Sequence, residues 1–257
     1  MPVILISGAS SGIGAALARH YAAPGTTLAL NARGAERLEA VAESCRRAGA
    51  EVETRALDVR DRAATRAWIE DLAARRGLDL AIANAGVNGG HPEGGIETEE
   101  TAFLVIDVNL LGALNVALPC VARMAARGRG QVALISSLAA IAPLPDAPAY
   151  SGTKAALLAH GLALREKLAP RGVRMNVVCP GYVRTAMGAD YQGWRPLEMS
   201  AEAAARRIAR GLARDEAVIA FPAALAAAAR GAALLPESLR RLGMRGFRFR
   251  TGERQQR

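Results

Sequence analysis

Residues 3–14 read Val-Ile-Leu-Ile-Ser-Gly-Ala-Ser-Ser-Gly-Ile-Gly and decide the fold. The apolar run Val3–Ser7 predicts a buried β-strand, and the pattern from Gly14 to Ala22 predicts a helix directly after it. The glycines between them let the backbone turn tightly and approach a bound group closely. Because the first turn of a helix presents free N–H groups and a partial positive charge, this strand–turn–helix unit predicts a pyrophosphate site.

The rest of the chain repeats this alternation of a short apolar run and a longer amphipathic run. The further predicted strands are Thr27–Asn31, Glu51–Leu57, Leu80–Ala83, Gln131–Ser136, Val173–Val178 and Ala217–Phe221, and the further predicted helices are Ala35–Ala48, Arg62–Arg75, Glu99–Arg127, Ala149–Leu168 and Ala201–Ala213. Continuous apolar strands that alternate with helices indicate a parallel sheet covered on both faces. We therefore predict an α/β fold, a single doubly wound Rossmann domain with a seven-stranded parallel sheet.

The catalytic domain is expected to span residues 1–235, followed by a basic tail at residues 236–257. A chain of 257 residues is long enough for one large α/β domain and short for two. The apolar stretch Ala217–Leu235 contains Pro222 and Arg230, which a membrane span of ~20 apolar residues would not carry together. The first residues predict a strand rather than a signal peptide, so a cytoplasmic protein is expected.

The net charge of +9 raises the question of a nucleic-acid partner. Lysine occurs only at Lys154 and Lys167, while arginine and alanine are abundant, a usage that GC-rich genomes produce. No stripe of basic residues interleaved with aromatic ones accompanies the charge in the body of the chain. We therefore expect no nucleic-acid partner.

Cysteine and histidine side chains are scattered, without the spacing of metal ligands or of a redox pair. They are Cys45, Cys120, Cys179, His20, His91 and His160. We expect neither a metal site nor a disulfide framework.

The tail from Arg240 to Arg257 interleaves apolar and basic residues, with Phe247 and Phe249 among arginines. Such a segment suits a weak peripheral contact with a membrane, at the inner face in a cytoplasmic protein, because arginine meets lipid phosphates while phenylalanine enters the headgroup boundary. Packing on a partner subunit and a frayed basic end are the other two interpretations. One amphipathic segment alone binds membranes weakly, which favours these two.

The segment Tyr150-Ser151-Gly152-Thr153-Lys154 places a phenol and an ammonium group four residues apart. On the predicted helix these two side chains share one face. A fixed cation beside a tyrosine favours the phenolate, so the pair is suited to general acid–base catalysis. Ser137 lies just past the fifth strand, at the carboxyl edge where open α/β folds bind ligands.

Several segments resemble the short-chain dehydrogenase/reductase family. They are the GxxxGxG turn at Gly8, Gly12 and Gly14, Asp58 after the third strand, Asn84-Ala85-Gly86, and Pro180-Gly181 with Thr185. Ser7 stands where the family motif begins with Thr, which keeps the hydroxyl group. The resemblance runs in order from Val3 to about Ala213 and implies an oxidoreductase with a nicotinamide cofactor.

The resemblance also implies a role for individual residues. The implied catalytic residues are Asn109, Ser137, Tyr150 and Lys154. The implied cofactor-binding residues are Gly8, Ser10, Ser11, Gly12, Ile13, Gly14, Arg33, Asp58, Val59, Asn84, Ala85, Gly86, Tyr150, Lys154, Pro180, Gly181, Val183 and Thr185. The spacing between serine and tyrosine in the family selects Ser137 over Ser136.

The end of the second strand favours NADP(H) over NAD(H). An acidic residue there would hydrogen-bond the ribose hydroxyl of NAD and repel a 2′-phosphate, but this chain has Ala32 at that position. Arg33 follows, and a guanidinium group suits a phosphate. The alternative is a surface arginine that happens to follow a strand.

The resemblance implies the interconversion of a small-molecule carbonyl and a secondary alcohol, with NADP favouring reduction. Residues 138–144 and 187–199 are expected to face the substrate, and their apolar character suits an aliphatic, lipid-like or cyclic carbonyl. A homodimer or homotetramer is implied as the assembly. The rival interpretation is a cofactor-binding sensor or scaffold of the same fold without turnover.

Overall fold

The computed structural model describes residues 1–91, 95–189, 191–236, 238 and 250–251. Seven parallel strands form the main sheet: β1 Val3–Ser7, β2 Thr27–Ala32, β3 Glu51–Ala56, β4 Leu80–Ala83, β5 Gly130–Ile135, β6 Val173–Pro180 and β10 Val218–Phe221. Their order across the sheet is β3-β2-β1-β4-β5-β6-β10. The predicted doubly wound, seven-stranded parallel sheet is confirmed.

Helices cover both faces of the sheet. They are α1 Gly12–Tyr21, α2 Ala35–Arg47, α3 Arg62–Arg76, α4 Glu99–Ile106, α5 Ala113–Arg127, α6 Pro148–Leu168, α7 Ala186–Ala189, α8 Ala201–Ala213 and α9 Ala223–Ala233. Leucine, isoleucine and alanine side chains of α1, α2 and α8 form the core on one face. Those of α3, α5 and α6 form the core on the other face. The strand order reverses between β1 and β4, and the crevice at this point is where such folds bind ligands.

The predicted helix Glu99–Arg127 has a local irregularity. A π-helical segment, Asp107–Gly112, separates α4 from α5, and such segments are frequent at functional sites. By length and composition the whole stretch could cross a membrane, but half of its most apolar window is buried in the fold. Because α5 packs against the sheet, we interpret it as a core helix.

The region after Pro180 departs most from the sequence prediction. Helix α9 was not predicted, and β6 extends two residues past the predicted end at Val178. Two short strand pairs also form: β7 Val183–Arg184 with β9 Met199–Ser200, and β8 Tyr191–Gln192 with β11 Arg250–Thr251. The rest of the predicted tail lies almost entirely outside the described residues. Its three interpretations, a membrane contact, packing on a partner subunit and a frayed end, therefore stay predictions.

Candidate active site

One continuous cavity of about 540 Å³ opens at the carboxyl edge of the sheet. It extends from the turn after β1, past the end of β5, to the outer end of α9. Every residue that the sequence assigned to cofactor binding lines it, except Gly14. Of the four predicted catalytic residues, Ser137, Tyr150 and Lys154 line it, whereas Asn109 is fully buried and does not.

The turn after β1 is built for close backbone approach. Gly8 has a φ angle of +66°, and a Cβ atom there would come within 2.7 Å of the Ala85 Cα atom. A Cβ atom on Gly14 would collide with the Gly8 carbonyl oxygen, so Gly14 allows α1 to begin close beneath the turn. Ser11, at the N-cap of α1, makes no side-chain cap hydrogen bond. The first amides of α1 are therefore left for an anion, and the turn fits a pyrophosphate.

Ser7 ties this turn to the next strand. Its Oγ atom accepts hydrogen bonds from the backbone N–H groups of Asn84 and Ala85, at 3.0 and 3.1 Å. The Asn84 side chain in turn donates to the carbonyl groups of Ser7 and Gly8. Ser7 stands where the family motif has threonine, and its hydroxyl group links the turn after β1 to the end of β4.

Two guanidinium groups line the cavity at the carboxyl end of β2. One is the predicted Arg33, and the other is Arg37, which the sequence analysis missed. Neither forms an ion pair within 4.0 Å with a carboxylate among the described residues. Arg37 lies in the first turn of α2, whose N-cap is Gly34, so its position at the start of the helix after β2 was the signal that could have found it.

Asp58 lines the same end, but its carboxylate already has partners. Its Oδ2 atom accepts from the Arg60 side chain at 2.7 Å, and its Oδ1 atom accepts from the Arg60 backbone N–H at 2.9 Å. Burial by itself would raise the pKa of this carboxyl group, but the bonds from Arg60 and the charge of Arg33 lower it. Asp58 is therefore a fixed anion that acts as a hydrogen-bond acceptor.

The end of β5 and the first turns of α6 bring together the predicted catalytic groups. The Lys154 Nζ atom lies 5.5 Å from the centre of the Tyr150 ring and donates to the Ile135 carbonyl at 2.8 Å. The Ser137 hydroxyl group donates to the Pro180 carbonyl at 3.4 Å and accepts from the Ala139 N–H at 3.1 Å, and its interaction with the Tyr150 phenol acts to lower the pKa of that phenol. The neighbouring Ser136 is buried, and its hydroxyl group donates to the Lys154 carbonyl. This bond occupies the Ser136 hydroxyl group, so the geometry favours Ser137 as the catalytic serine.

Burial shifts the proton equilibria of the phenol and the ammonium group in opposite directions. Burial raises the pKa of Tyr150, and the Ser137 hydroxyl group opposes this rise. Burial lowers the pKa of Lys154 to about 8. At neutral pH the phenol therefore keeps its proton and most of the lysine is charged, which is the state that a proton donor with an adjacent cation requires.

Asn109 lies in the π-helical segment and clamps the loop after β4. Its Oδ1 atom accepts from the Val87 N–H at 2.7 Å, and its Nδ2 atom donates to the Val87 carbonyl at 2.9 Å. A Cβ atom on Gly86 would lie 3.1 Å from Asn109 Oδ1 and 3.7 Å from Lys154 Nζ. The asparagine thus sits beside the lysine and fixes the backbone that borders it.

A family model described as short chain dehydrogenase matches residues 2–196. The chain belongs to the short-chain dehydrogenase/reductase family. Members of this family are oxidoreductases that act on alcohols and ketones with a nicotinamide cofactor.

Relatives of this short-chain dehydrogenase/reductase include both uncharacterised and named enzymes. An uncharacterised oxidoreductase of Myxococcus xanthus is 35% identical over 91% of this chain and 93% of its own. The putative ketoacyl reductase of a monensin polyketide synthase, from Streptomyces virginiae, is 37% identical over 72% of each chain.

A short-chain dehydrogenase from Sphingobium yanoikuyae, solved in complex with NADPH, has a similar structure. Its TM-score is 0.77 at 29% identity, with 90% of this chain and 94% of that chain covered. Another solved neighbour, a xylitol dehydrogenase, holds NAD⁺. The likeness therefore supports a nicotinamide cofactor and leaves the choice between NAD and NADP to the residues of this chain.

The structure of this short-chain dehydrogenase/reductase adds an acidic residue that the sequence analysis did not consider. Glu97 accepts from the Gly90 N–H at 2.8 Å through one oxygen and from the Ala149 N–H at 2.9 Å through the other. Ala149 is in the first turn of α6, next to Tyr150. A carboxylate at a helix N-terminus is electrostatically favourable, and this one also joins the loop after β4 to the catalytic helix.

Proposed function

We propose that the protein is an NADP(H)-dependent oxidoreductase that interconverts a carbonyl group and a secondary alcohol, acting mainly as a reductase on an apolar substrate. The observation that carries this proposal is the meeting of Ser137, Tyr150 and Lys154 in one cavity with the phosphate-binding turn. Family membership supports the same reaction class.

The proton transfer is assigned to the side chains of this chain. Ser137 and Tyr150 hold the substrate oxygen, and the Tyr150 hydroxyl donates its proton to that oxygen as negative charge develops. The Lys154 ammonium group stabilises the tyrosinate left behind, and Asn109 fixes the loop that borders the lysine. A bound nicotinamide supplies the hydride in reduction and accepts it in oxidation.

The preference for NADP(H) is assigned to Arg33 and Arg37. Two guanidinium groups that form no ion pair within the described part of the chain suit a 2′-phosphate, because Arg–phosphate hydrogen bonds are charge-assisted and often bidentate. Ala32 removes the acidic residue that would exclude this phosphate. Ala32, Arg33 and Arg37 therefore favour NADP(H), whereas similar structures contain either NADPH or NAD⁺.

The assembly is proposed to be a homodimer or homotetramer of a catalytic domain at residues 1–235. Leucines on the outer faces of α5, its preceding π-helical segment and α6 remain exposed, with Leu111 at 47%, Leu118 at 41% and Leu162 at 37% of full exposure. Burying them against a second copy would remove apolar surface from water.

The test is a screen of ketones and 3-oxoesters that follows NADPH absorbance, with NADH in parallel and heat-inactivated protein as control. We expect substrate-dependent oxidation of NADPH, faster than oxidation of NADH. Binding of NADPH without oxidation against the whole panel would favour the rival interpretation, a cofactor-binding sensor or scaffold. A faster reaction with NADH would contradict the NADP assignment.

A further inference from the structure

Helix α9 forms a wall of the catalytic cavity. The cavity-lining residues from its region recur at helical spacing and define what we call the α9 wall: Leu225, Ala228, Ala229, Ala232 and Leu235. At this spacing of three or four residues, Leu225, Ala228, Ala229 and Ala232 lie on one face of α9, and Leu235 lies two residues past the end of the helix. At 1.5 Å per residue, the seven steps from Leu225 to Ala232 span ~10.5 Å.

The α9 wall begins at the reacting end of the cavity. A Cβ atom on Gly181 would lie 2.9 Å from the Leu225 side chain and 3.3 Å from the Leu138 side chain. The Gly181 N–H donates to the Phe221 carbonyl at 2.7 Å, which fixes the backbone just before α9. Because Leu138 directly follows Ser137, the first residue of the wall, Leu225, lies near the predicted catalytic serine, and the other wall residues follow along α9.

The loop between β5 and α6 also lines the cavity with small and aliphatic side chains. They include Ala139, Ala142, Leu144 and Ala147. Since alanine presents only a methyl group, these residues and the α9 wall leave part of the cavity unfilled. The space therefore suits an occupant that supplies its own apolar volume.

Polar lining groups from the segment after β6 are engaged within the protein. The Arg195 side chain donates to the Gly188 carbonyl at 3.0 Å and to Glu198 at 2.9 Å. The Asn88 side chain donates to the Met187 carbonyl at 2.8 Å and joins the loop after β4 to α7. A charged substrate group would find the Arg195 guanidinium group already paired with Glu198.

We propose that the α9 wall determines substrate size by binding an extended, uncharged apolar arm of a ketone whose carbonyl group lies at Ser137 and Tyr150. This inference rests on the proposed reductase function and adds the shape of its substrate. Ala228 and Ala232 are the specificity-determining positions, because a larger side chain at either one would occupy the space of the arm.

The test uses straight-chain methyl ketones, from methyl ethyl ketone to methyl nonyl ketone, with NADPH. In the wild type, kcat/KM should rise by up to about fourfold per added methylene while the arm extends along α9. Ala228→Leu and Ala232→Leu should each lower kcat/KM for methyl nonyl ketone by about tenfold or more, which corresponds to displacing about two buried methylenes. Both variants should lose less kcat/KM for methyl ethyl ketone than for methyl nonyl ketone, because the short ketone has no arm to displace.

Ala227→Leu is the matched control, because Ala227 is on the same helix, is exposed and does not line the cavity. NADPH affinity and the thermal midpoint of all three variants should match the wild type, which shows that they fold. A chain-length profile that is flat in the wild type, or unchanged in both cavity variants, would overturn the role of α9. Failure of every ketone to oxidise NADPH would instead contradict the proposed function itself.

Discussion

The two ends of the catalytic cavity are built in different ways. The cofactor end consists of backbone amides and glycines at the ends of neighbouring strands, held by short polar links such as Ser7 to Asn84. The substrate end consists of alanine and leucine side chains from the loop before α6 and from α9. The predicted catalytic side chains Ser137, Tyr150 and Lys154 lie where the two ends meet.

This difference indicates that the backbone fold determines cofactor binding, whereas the side chains determine which substrate is bound. A backbone cradle tolerates few substitutions, because a Cβ atom at Gly8 or Gly14 would meet neighbouring backbone. A wall of methyl groups at the substrate end accepts many sequences of similar volume. Substitutions at the cofactor end should therefore change cofactor binding, those at the substrate end should change substrate selection, and those at the junction should stop the chemistry.

The largest effect is expected at the junction. Tyr150→Phe removes the proton donor and leaves the ring in place, so kcat should fall by ~10²–10⁴-fold. NADPH affinity, measured by fluorescence titration, should stay close to that of the wild type because both ends of the cavity are untouched. A variant with near-normal kcat would remove Tyr150 from the mechanism.

A change of cofactor preference should follow from substitutions at the cofactor end alone. Ala32→Asp combined with Arg33→Ala places a carboxylate near the ribose and removes a cation, so the ratio of kcat/KM for NADPH over NADH should fall by ~100-fold or more. Arg37→Ala alone should lower the same ratio less. The order of ketone preference should not change, and a change in it would break the separation of the two ends.

The link between the loop after β4 and the catalytic helix should have an intermediate effect. Glu97→Ala removes an acceptor from two backbone N–H groups, and kcat should fall by about tenfold, the value of roughly one charge-assisted hydrogen bond. Glu97→Gln, which keeps one acceptor oxygen, should restore part of the loss. Glu99→Ala removes the same charge from an exposed position and is the control; an equal loss in that variant would indicate a general charge effect.

The last expected effect concerns stability. Burial lowers the pKa of Lys154 to about 8, so holding this lysine charged costs the folded state free energy below pH 8. Between pH 8 and the ordinary pKa of a lysine, the unfolded chain binds more protons than the folded protein. The cost of burying the charge therefore disappears as pH rises through this range. Lys154→Met should therefore be inactive yet more stable at pH 7 by about 1–3 kcal/mol.

Denaturant unfolding at several pH values measures this difference. The gain in the free energy of unfolding from Lys154→Met should shrink as pH rises from 8 towards 10. A variant that is less stable than the wild type at every pH would show that the Lys154 hydrogen bond to Ile135 outweighs the cost of burial.

The sequence predicted the parts of the molecule that depend on local pattern. The alternation of strands and helices, the glycine turn and the family resemblance yielded the confirmed fold, family and nicotinamide cofactor. The roles of Ser137, Tyr150, Lys154 and Arg33 remain predictions, although the structure places these residues where the predictions need them.

The parts that depend on tertiary contacts were not predictable in this way. Helix α9 is alanine-rich, so its sequence does not distinguish a cavity wall from ordinary core. Glu97 has no local pattern, because its partners at Gly90 and Ala149 come from two other segments. The π-helical segment at Asn109 likewise left no periodicity that differs from a continuous helix.

Isotope transfer to a ketone from NADPH deuterated at its transferable position is the most direct test of the proposed reaction. The product alcohol should carry one deuterium per NADPH oxidised, at the former carbonyl carbon, and Tyr150→Phe should form almost none. Oxidation of NADPH without deuterium in the alcohol, or equal transfer by Tyr150→Phe, would contradict the proposed reaction.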